Sequence, residues 1–343
     1  MITLLIPTMN RSDFLIRQLN YYRDIGFRGR ICIGDSSDAE HVERGKRIIK
    51  ALQGKLNIVY QEYPHLNNAE CLQQLLNFVP TPYAALVPDD DFLVPAALEQ
   101  CALFLDKHPD YSAAHGIGIV ISLQSSGAYG KVRWVCRYRQ PVIEGERASQ
   151  RLLSHLSNYS VTLFSVHRVE SWRMMYRDVS LLTDRTFAME LLPCCLSVLQ
   201  GKVKELDCPY LVRQSHGQRY LLPNQHDWIN SPNWSSSYQV FCDCLVRELA
   251  RQDRISIDKA EDIVKQAFQL YLAHWSSTSN RLREAIHAFP GAQRVWHTLQ
   301  SLNLRRRDRI SLAALLRPSS SYHADFMPVY RAVTAVSASA ENE

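Results

Sequence analysis

The chain has 343 residues, with 39 Lys and Arg against 34 Asp and Glu, giving a formal charge of +5 when the twelve His are neutral. Hydrophobic residues make up 46% and charged residues 21%, which excludes a disordered chain, a fibre and a coiled coil and leaves too little charge for nucleic-acid binding by bulk electrostatics. No apolar run reaches the roughly 18 residues of a membrane span, and the opening MITLLIPTMN has no basic n-region. Nine scattered Cys without a CxxC read as core residues in a reducing compartment, so the expectation is a cytoplasmic protein.

In chain order, Thr3–Ile6 reads as a buried strand. It is followed by Pro7–Ser12 and by a helix whose apolar residues Phe14, Leu15, Leu19 and Tyr22 recur at helical spacing, with Ser12 as its cap. Strands are expected at Arg30–Gly34, Leu56–Tyr60 and Tyr83–Val87, and helices at Glu40–Leu52, Asn68–Phe78 and Ala96–Phe104. This alternation predicts a parallel sheet covered by helices, with ligands bound beyond the carboxyl ends of the strands. Ala113–Leu123 and Val132–Tyr138 read as a hairpin. A helix Ala148–Leu156, a strand Val161–Val166, a helix His167–Tyr176, a long apolar helix Arg185–Leu199 and a closing strand Val203–Val212 follow. Leu221–Trp234, rich in Pro, Asn and Trp, marks a boundary. Helices are then expected at Ser235–Arg251, Asp258–Trp275, Ser279–Ala288 and Ala292–Leu302, and the last twenty or so residues as a frayed tail.

Polar residues gather at the expected strand ends. Pro88-Asp89-Asp90-Asp91-Phe92 places three adjacent carboxylates after a buried strand, where mutual repulsion favours a bound cation. Asp89 and Asp91 can share a face and ligate a hard cation alongside phosphate oxygens; the alternative is a solvated turn capping the helix near Pro95. Pro7, Thr8, Asn10 and Arg11 follow strand one and suit a phosphate or base. Asp35, after strand two, can accept hydrogen bonds from a base or ribose, or form an ordinary Asx turn.

Read together, strand-IPTMNR, strand-GDSSD and TPYAALVPDDDFLVPAAL resemble inverting glycosyltransferases of the large family 2. DRTFAMELLPCCLSVLQGKVKELDCPYLVRQSH (184–216) is similar to a bacterial subgroup carrying D-x5-ELL and YLxRQxH motifs. The resemblance spans about residues 1–220. It implies an α/β, Rossmann-like GT-A core over 1–222, with a nucleotide-binding half (1–112) and an acceptor half (113–222), and a C-terminal helical region (223–343). It also implies a nucleotide-sugar donor and a glycan, lipid-linked or other hydroxyl acceptor, in surface-polysaccharide or glycoconjugate assembly. Residue by residue, it assigns Pro7, Thr8, Asn10, Arg11, Asp35, Asp89 and Asp90 to the nucleotide-sugar. Asp91, Asp89 and His216 would hold a divalent metal, Mn²⁺ or Mg²⁺.

Asp184 sits where the family places the acidic group that activates the acceptor; as a sequence feature it reads equally as a helix N-cap. Glu190, six positions on, is the second candidate for the base. Arg213 can balance diphosphate charge, and Asn158-Tyr159 and Trp172 are candidates for an acceptor pocket, with core packing the alternative for Trp172. Arg305–Arg307 and Arg309 lie among apolar residues and suit a peripheral membrane contact, a homo-oligomer contact or a solvated face. Two rivals stand beside the transferase. A sugar nucleotidyltransferase would want a Gly-rich basic first loop, and a catalytically inactive GT-A module would bind a glycan or partner enzyme.

Overall fold

The computed structural model describes residues 1–217, 223, 225–275 and 310–335. Strands β1 (Ile2–Thr8), β2 (Arg30–Asp35), β3 (Asn57–Glu62) and β4 (Tyr83–Leu86) pair in the order β3-β2-β1-β4, all parallel. Between them run α1 (Ser12–Asp24), α2 (Ala39–Ala51) and α3 (Asn68–Leu75). β1 is buried along its whole length, as expected for a central strand covered on both faces. Asn67 accepts from the amides of Ala69 and Glu70 while Glu70 reaches back to the Asn67 amide, so a capping box starts α3.

The sheet does not stop at residue 112. After β5 (Phe92–Leu93) and α4 (Pro95–Lys107), strand β6 (Tyr111–Leu123) pairs with β7 (Val132–Tyr138) as the expected antiparallel hairpin. α5 (Ala148–Ser157) follows. The short β8 (Val166–Arg168) runs antiparallel between β4 and β6 and so joins the two halves into one nine-stranded sheet. β9 (Lys202–Ser215) lies parallel to β6, and β5 pairs with its far end. Gly116 makes that pairing close, because a Cβ there would sit 2.3 Å from the Cys208 carbonyl oxygen.

Several expectations are corrected. Ser12 does not cap α1; the N-cap position is Arg11, and the Ser12 hydroxyl pairs with His41 Nδ1 at 2.9 Å. The strand expected at Val161–Val166 is the shorter β8, followed by α6 (Val169–Tyr176). The helix expected over Arg185–Leu199 is divided into a π-helical turn, Phe187–Leu191, and α7 (Leu192–Gln200). Pro193 lies at the start of α7, where its missing N–H cannot continue the preceding ladder, so the turn widens.

Beyond α8 (Gln225–Ile229), helices α9 (Trp234–Asp253) and α10 (Ile257–Trp275) pack on α5 and α7. The expected helices at 279–288 and 292–302 and the basic stretch at 305–309 lie outside the described residues. The frayed tail is corrected in part. α11 (Leu312–Leu316) leads into α12 (His323–Thr334), which buries Phe326, Val329 and Val333 and packs on α1. None of the nine Cys, all among the described residues, forms a disulfide, and eight are buried. Trp172 is fully buried with its Nε1–H on the Ala84 carbonyl at 2.9 Å, which makes it a core residue. Among the described residues, no helix is long and apolar enough to cross a membrane.

Candidate active site

The carboxyl ends of β1 and β4 and the last residues of β9 meet at the acidic turn. Pro88–Asp91 closes on itself through the Asp91 N–H to the Pro88 carbonyl, 3.1 Å. All three carboxylates are buried, and each is matched by a cation or donor of the chain. Asp89 accepts from the Thr8 hydroxyl at 2.7 Å and faces Arg11 at 2.6 Å. Asp90 faces Arg11 at 3.1 Å and His216 Nε2 at 2.8 Å. Asp91 faces Arg213 Nε at 2.9 Å and accepts the Gln214 N–H at 3.0 Å. The turn therefore does not cap α4, whose N-cap is Val94.

Burial pushes the Asp89 carboxyl up to about 7 against the pull of Arg11. Burial acts on Asp90 in the same sense, but the His216 hydrogen bond and Arg11 prevail and hold its carboxyl well below the usual range. His216 is not an exposed loop residue: its side chain is buried and its ring stacks on Phe14 at 4.7 Å. Arg213 lies over Phe164 at 4.5 Å and Tyr138 at 4.8 Å.

A second group adjoins the first. Asn10 has a left-handed backbone (φ 53°), and its side chain exchanges hydrogen bonds with Asp38 at 2.9 and 2.8 Å. It thereby clasps the loops after β1 and β2, and Arg11 follows directly toward the acidic turn. Pro7 is buried within β1 opposite Gly34. Asp35 accepts from the Ser37 amide at 2.9 Å and the Tyr60 hydroxyl at 2.8 Å. It lines a cavity of about 210 Å³ with Ser37, Val42, Lys46, Glu62 and Pro64. Gly34 precedes it because α3 leaves no room: a Cβ would lie 2.3 Å from Cys71 Sγ.

The two candidate bases have different surroundings. Asp184 Oδ1 accepts the Phe187 N–H and the Trp228 indole N–H, both at 3.0 Å, and the Asp184 amide donates to Ser237 Oγ at 2.9 Å. Around it Phe187, Trp228, Trp234, Tyr238, Phe241 and Phe268 form one aromatic cluster. Its contacts are those of an N-cap that also anchors α8. Glu190, partly exposed, accepts from the Tyr159 hydroxyl at 3.0 Å. Burial raises its carboxyl pKa, while Tyr159 and Arg213 pull it back, which places it in the field of the acidic turn's own cation.

The expected metal set does not fit this arrangement. Both oxygens of Asp89 and of Asp91, and Oδ2 of Asp90, face guanidinium, imidazole, hydroxyl or amide donors. Among the described residues no group of three or more His, Cys, Asp or Glu is placed to hold an ion. For Asp91 to ligate a metal, Arg213 would have to leave it.

Sequence reasoning placed Thr8, Arg11, Asp89–Asp91, Arg213 and His216 in different segments, and the fold brings them together. It missed Tyr60, Lys46, Arg17 and Gln18. Tyr60 and Lys46 carry no motif. Arg17 and Gln18 read as ordinary polar positions of an amphipathic helix, yet both are fully buried.

No protein-family model and no curated sequence matches the chain significantly. Among solved structures it is similar to TarS of S. aureus. The TarS 1–349 structure covers 96% of this chain and 89% of its own length, with a TM-score of 0.52 at 12% identity. The same fragment in complex with UDP-GlcNAc covers 81% and 74%, with a TM-score of 0.51 at 13% identity. This chain spans 44% of the longer TarS chain. The fold is thus the mixed α/β fold of the TarS structures, with a helical C-terminal region.

Proposed function

We propose that the chain is an inverting glycosyltransferase that takes a sugar from a nucleotide-sugar donor to a hydroxyl acceptor, in the assembly of a bacterial surface polysaccharide or glycoconjugate. The observation that carries this reading is the convergence of Thr8, Arg11, Asp89–Asp91, Arg213 and His216 at the carboxyl ends of the strands, beside the cavity lined by Asp35. In an open α/β sheet this is where a nucleotide binds. The structural relative crystallised with UDP-GlcNAc supports the same donor class.

In this reading the nucleoside occupies the cavity, with Asp35, itself held by the Tyr60 hydroxyl, as a polar contact. Arg11 and Arg213 are the cations nearest the departing diphosphate and exchange carboxylate for phosphate oxygens, a bidentate match for either partner. Glu190 takes the acceptor proton, since a carboxylate raised by burial is a stronger base near neutral pH. A single displacement with inversion follows if Glu190 and the diphosphate flank the sugar. No step is assigned to a metal.

Calorimetric titration with UDP, GDP, CDP and TDP, in EDTA and in Mn²⁺, tests the donor site. One of the four is expected to bind, with affinity changing less than about threefold on chelation, equivalent to under ~0.7 kcal/mol. Strict metal dependence would mean that the Arg213–Asp91 pair opens to admit an ion. Failure of a folded chain to bind any of them would favour the inactive glycan-binding module. Glu190→Gln is expected to retain binding and lose at least about 100-fold in turnover; full turnover would return the base to Asp184.

A further inference from the structure

The acidic turn is held from below by two side chains of α1. Gln18 Nε2 donates to the Pro88 carbonyl at 2.7 Å and the Asp91 carbonyl at 2.6 Å. Arg17 Nη2 donates to the Asp90 carbonyl at 2.8 Å. Its Nη1 reaches the Ala128 carbonyl and Gln214 Oε1. Gln214 completes the frame, with its amide N–H on Asp91 Oδ1 at 3.0 Å and its Nε2 on the Gly127 carbonyl at 2.8 Å. The guanidinium sits 4.7 Å from the Phe92 ring centre and 5.1 Å from that of Phe14.

This is an expensive arrangement if its only task is packing. Arg17 is 1% exposed, and its Nε–H has no hydrogen-bond partner. Buried ionic groups replaced together with their partners by apolar side chains often cost no stability, so burial of a guanidinium is weak evidence that its task is stabilisation. What an apolar side chain cannot supply is donors to the backbone of the residues that carry the three carboxylates. None of the Arg17 and Gln18 contacts belongs to the cavity lined by Asp35, so the frame acts on one end of the site only.

We propose that Arg17, with Gln18, is a positioning residue for the diphosphate end of the donor site. It fixes the Pro88–Asp91 backbone so that the carboxylates, and through them Arg11 and Arg213, present one geometry. This rests on the donor-site reading above.

The test compares each nucleoside diphosphate (UDP, GDP, CDP, TDP) with its own nucleoside by titration against wild type, Arg17→Met, Arg17→Lys and Gln18→Met, with chemical unfolding measured in parallel. Arg17→Met is expected to weaken the diphosphate about tenfold or more, near 1.4 kcal/mol, and to leave the nucleoside within about twofold. Arg17→Lys, which keeps the charge but not the fork, should fall between. Gln18→Met gives the same pattern at smaller size and carries the test if Arg17→Met does not fold. Equal weakening of diphosphate and nucleoside would show a general structural role and overturn the proposal, as would unchanged diphosphate binding. A wild-type chain that binds none of the four overturns the donor site itself, and is told apart because it needs no variant.

Discussion

The acidic turn and the Asp184 cluster both bury carboxylates, but they satisfy them by different means. At the turn, Asp89, Asp90 and Asp91 face Arg11, His216 and Arg213. At Asp184 the partners are a backbone amide and an indole N–H, both neutral, inside an aromatic wall. A cation paired with a carboxylate can exchange that carboxylate for phosphate. A carboxylate fixed by neutral donors in a packed cluster has nothing to exchange and holds structure together. Side-chain type alone does not separate the two roles; the partners do.

The contrast is broken most severely by removing one member of a buried ion pair. Asp91→Ala leaves Arg213 buried without its carboxylate and is expected to cost about 3–5 kcal/mol in chemical unfolding. Adding Arg213→Met should recover part of that loss. A double-mutant cycle with no coupling would show that the pair is not formed in solution.

Asp184→Ala removes a helix cap and the Trp228 partner together. The expected cost is about 2–3 kcal/mol, the sum of a cap and an orphaned buried donor. Nucleotide affinity of the folded fraction should not change; a selective loss of turnover with native stability would instead give Asp184 the catalytic role.

The smallest effect at neutral pH is a titration on the aromatic side. His155 is buried against Tyr159 with both ring nitrogens unpartnered, and burial lowers its pKa to about 3; His167 is lowered to about 4. The unfolded chain takes up these protons first, near pH 6.5. The stability contribution is therefore complete above that pH and is lost as pH falls toward 3–4. Replacing His155 by Leu should change stability by less than about 1 kcal/mol at pH 8 and flatten the acid limb of a stability–pH curve. An unaltered acid limb would assign that loss to carboxylates alone.

How far the sequence reached depends on the range of the interaction. Strand ends are local features: PTMNR, GDSSD and PDDDF were legible because each follows an apolar run directly. Where the residues converge is set by β9, whose pairing with β6 brings Arg213 and His216 about 125 positions along the chain to Asp90 and Asp91. Motif order stood in for that geometry. The part not legible is what only packing decides. Arg17 and Gln18 look solvent-facing until the Pro88–Asp91 turn and, for Arg17, Phe92 of the two-residue β5 meet them. Asp184 read equally as an acceptor-activating group and as an N-cap, and nothing local reveals Trp228, forty-four positions later. Pro193, two residues after Leu191, did carry a signal for the widened turn, through its missing N–H.

β9 also sets the phase of the site. Successive residues of a strand point to opposite faces, and Arg213 and Gln214 use that alternation, one turned to Asp91 and Phe164, the other to Arg17 and the loop at Gly127. Three irregularities in the β6–β9 register precede them, at Tyr111/Ala113, His115/Ile117 and Ile117/Gly118. A single residue deleted between Lys204 and Pro209, if not absorbed there, would turn each to the opposite face. The guanidinium would then be turned away from the acidic turn and an amide put in its place, in a chain that still had a sheet to fold around.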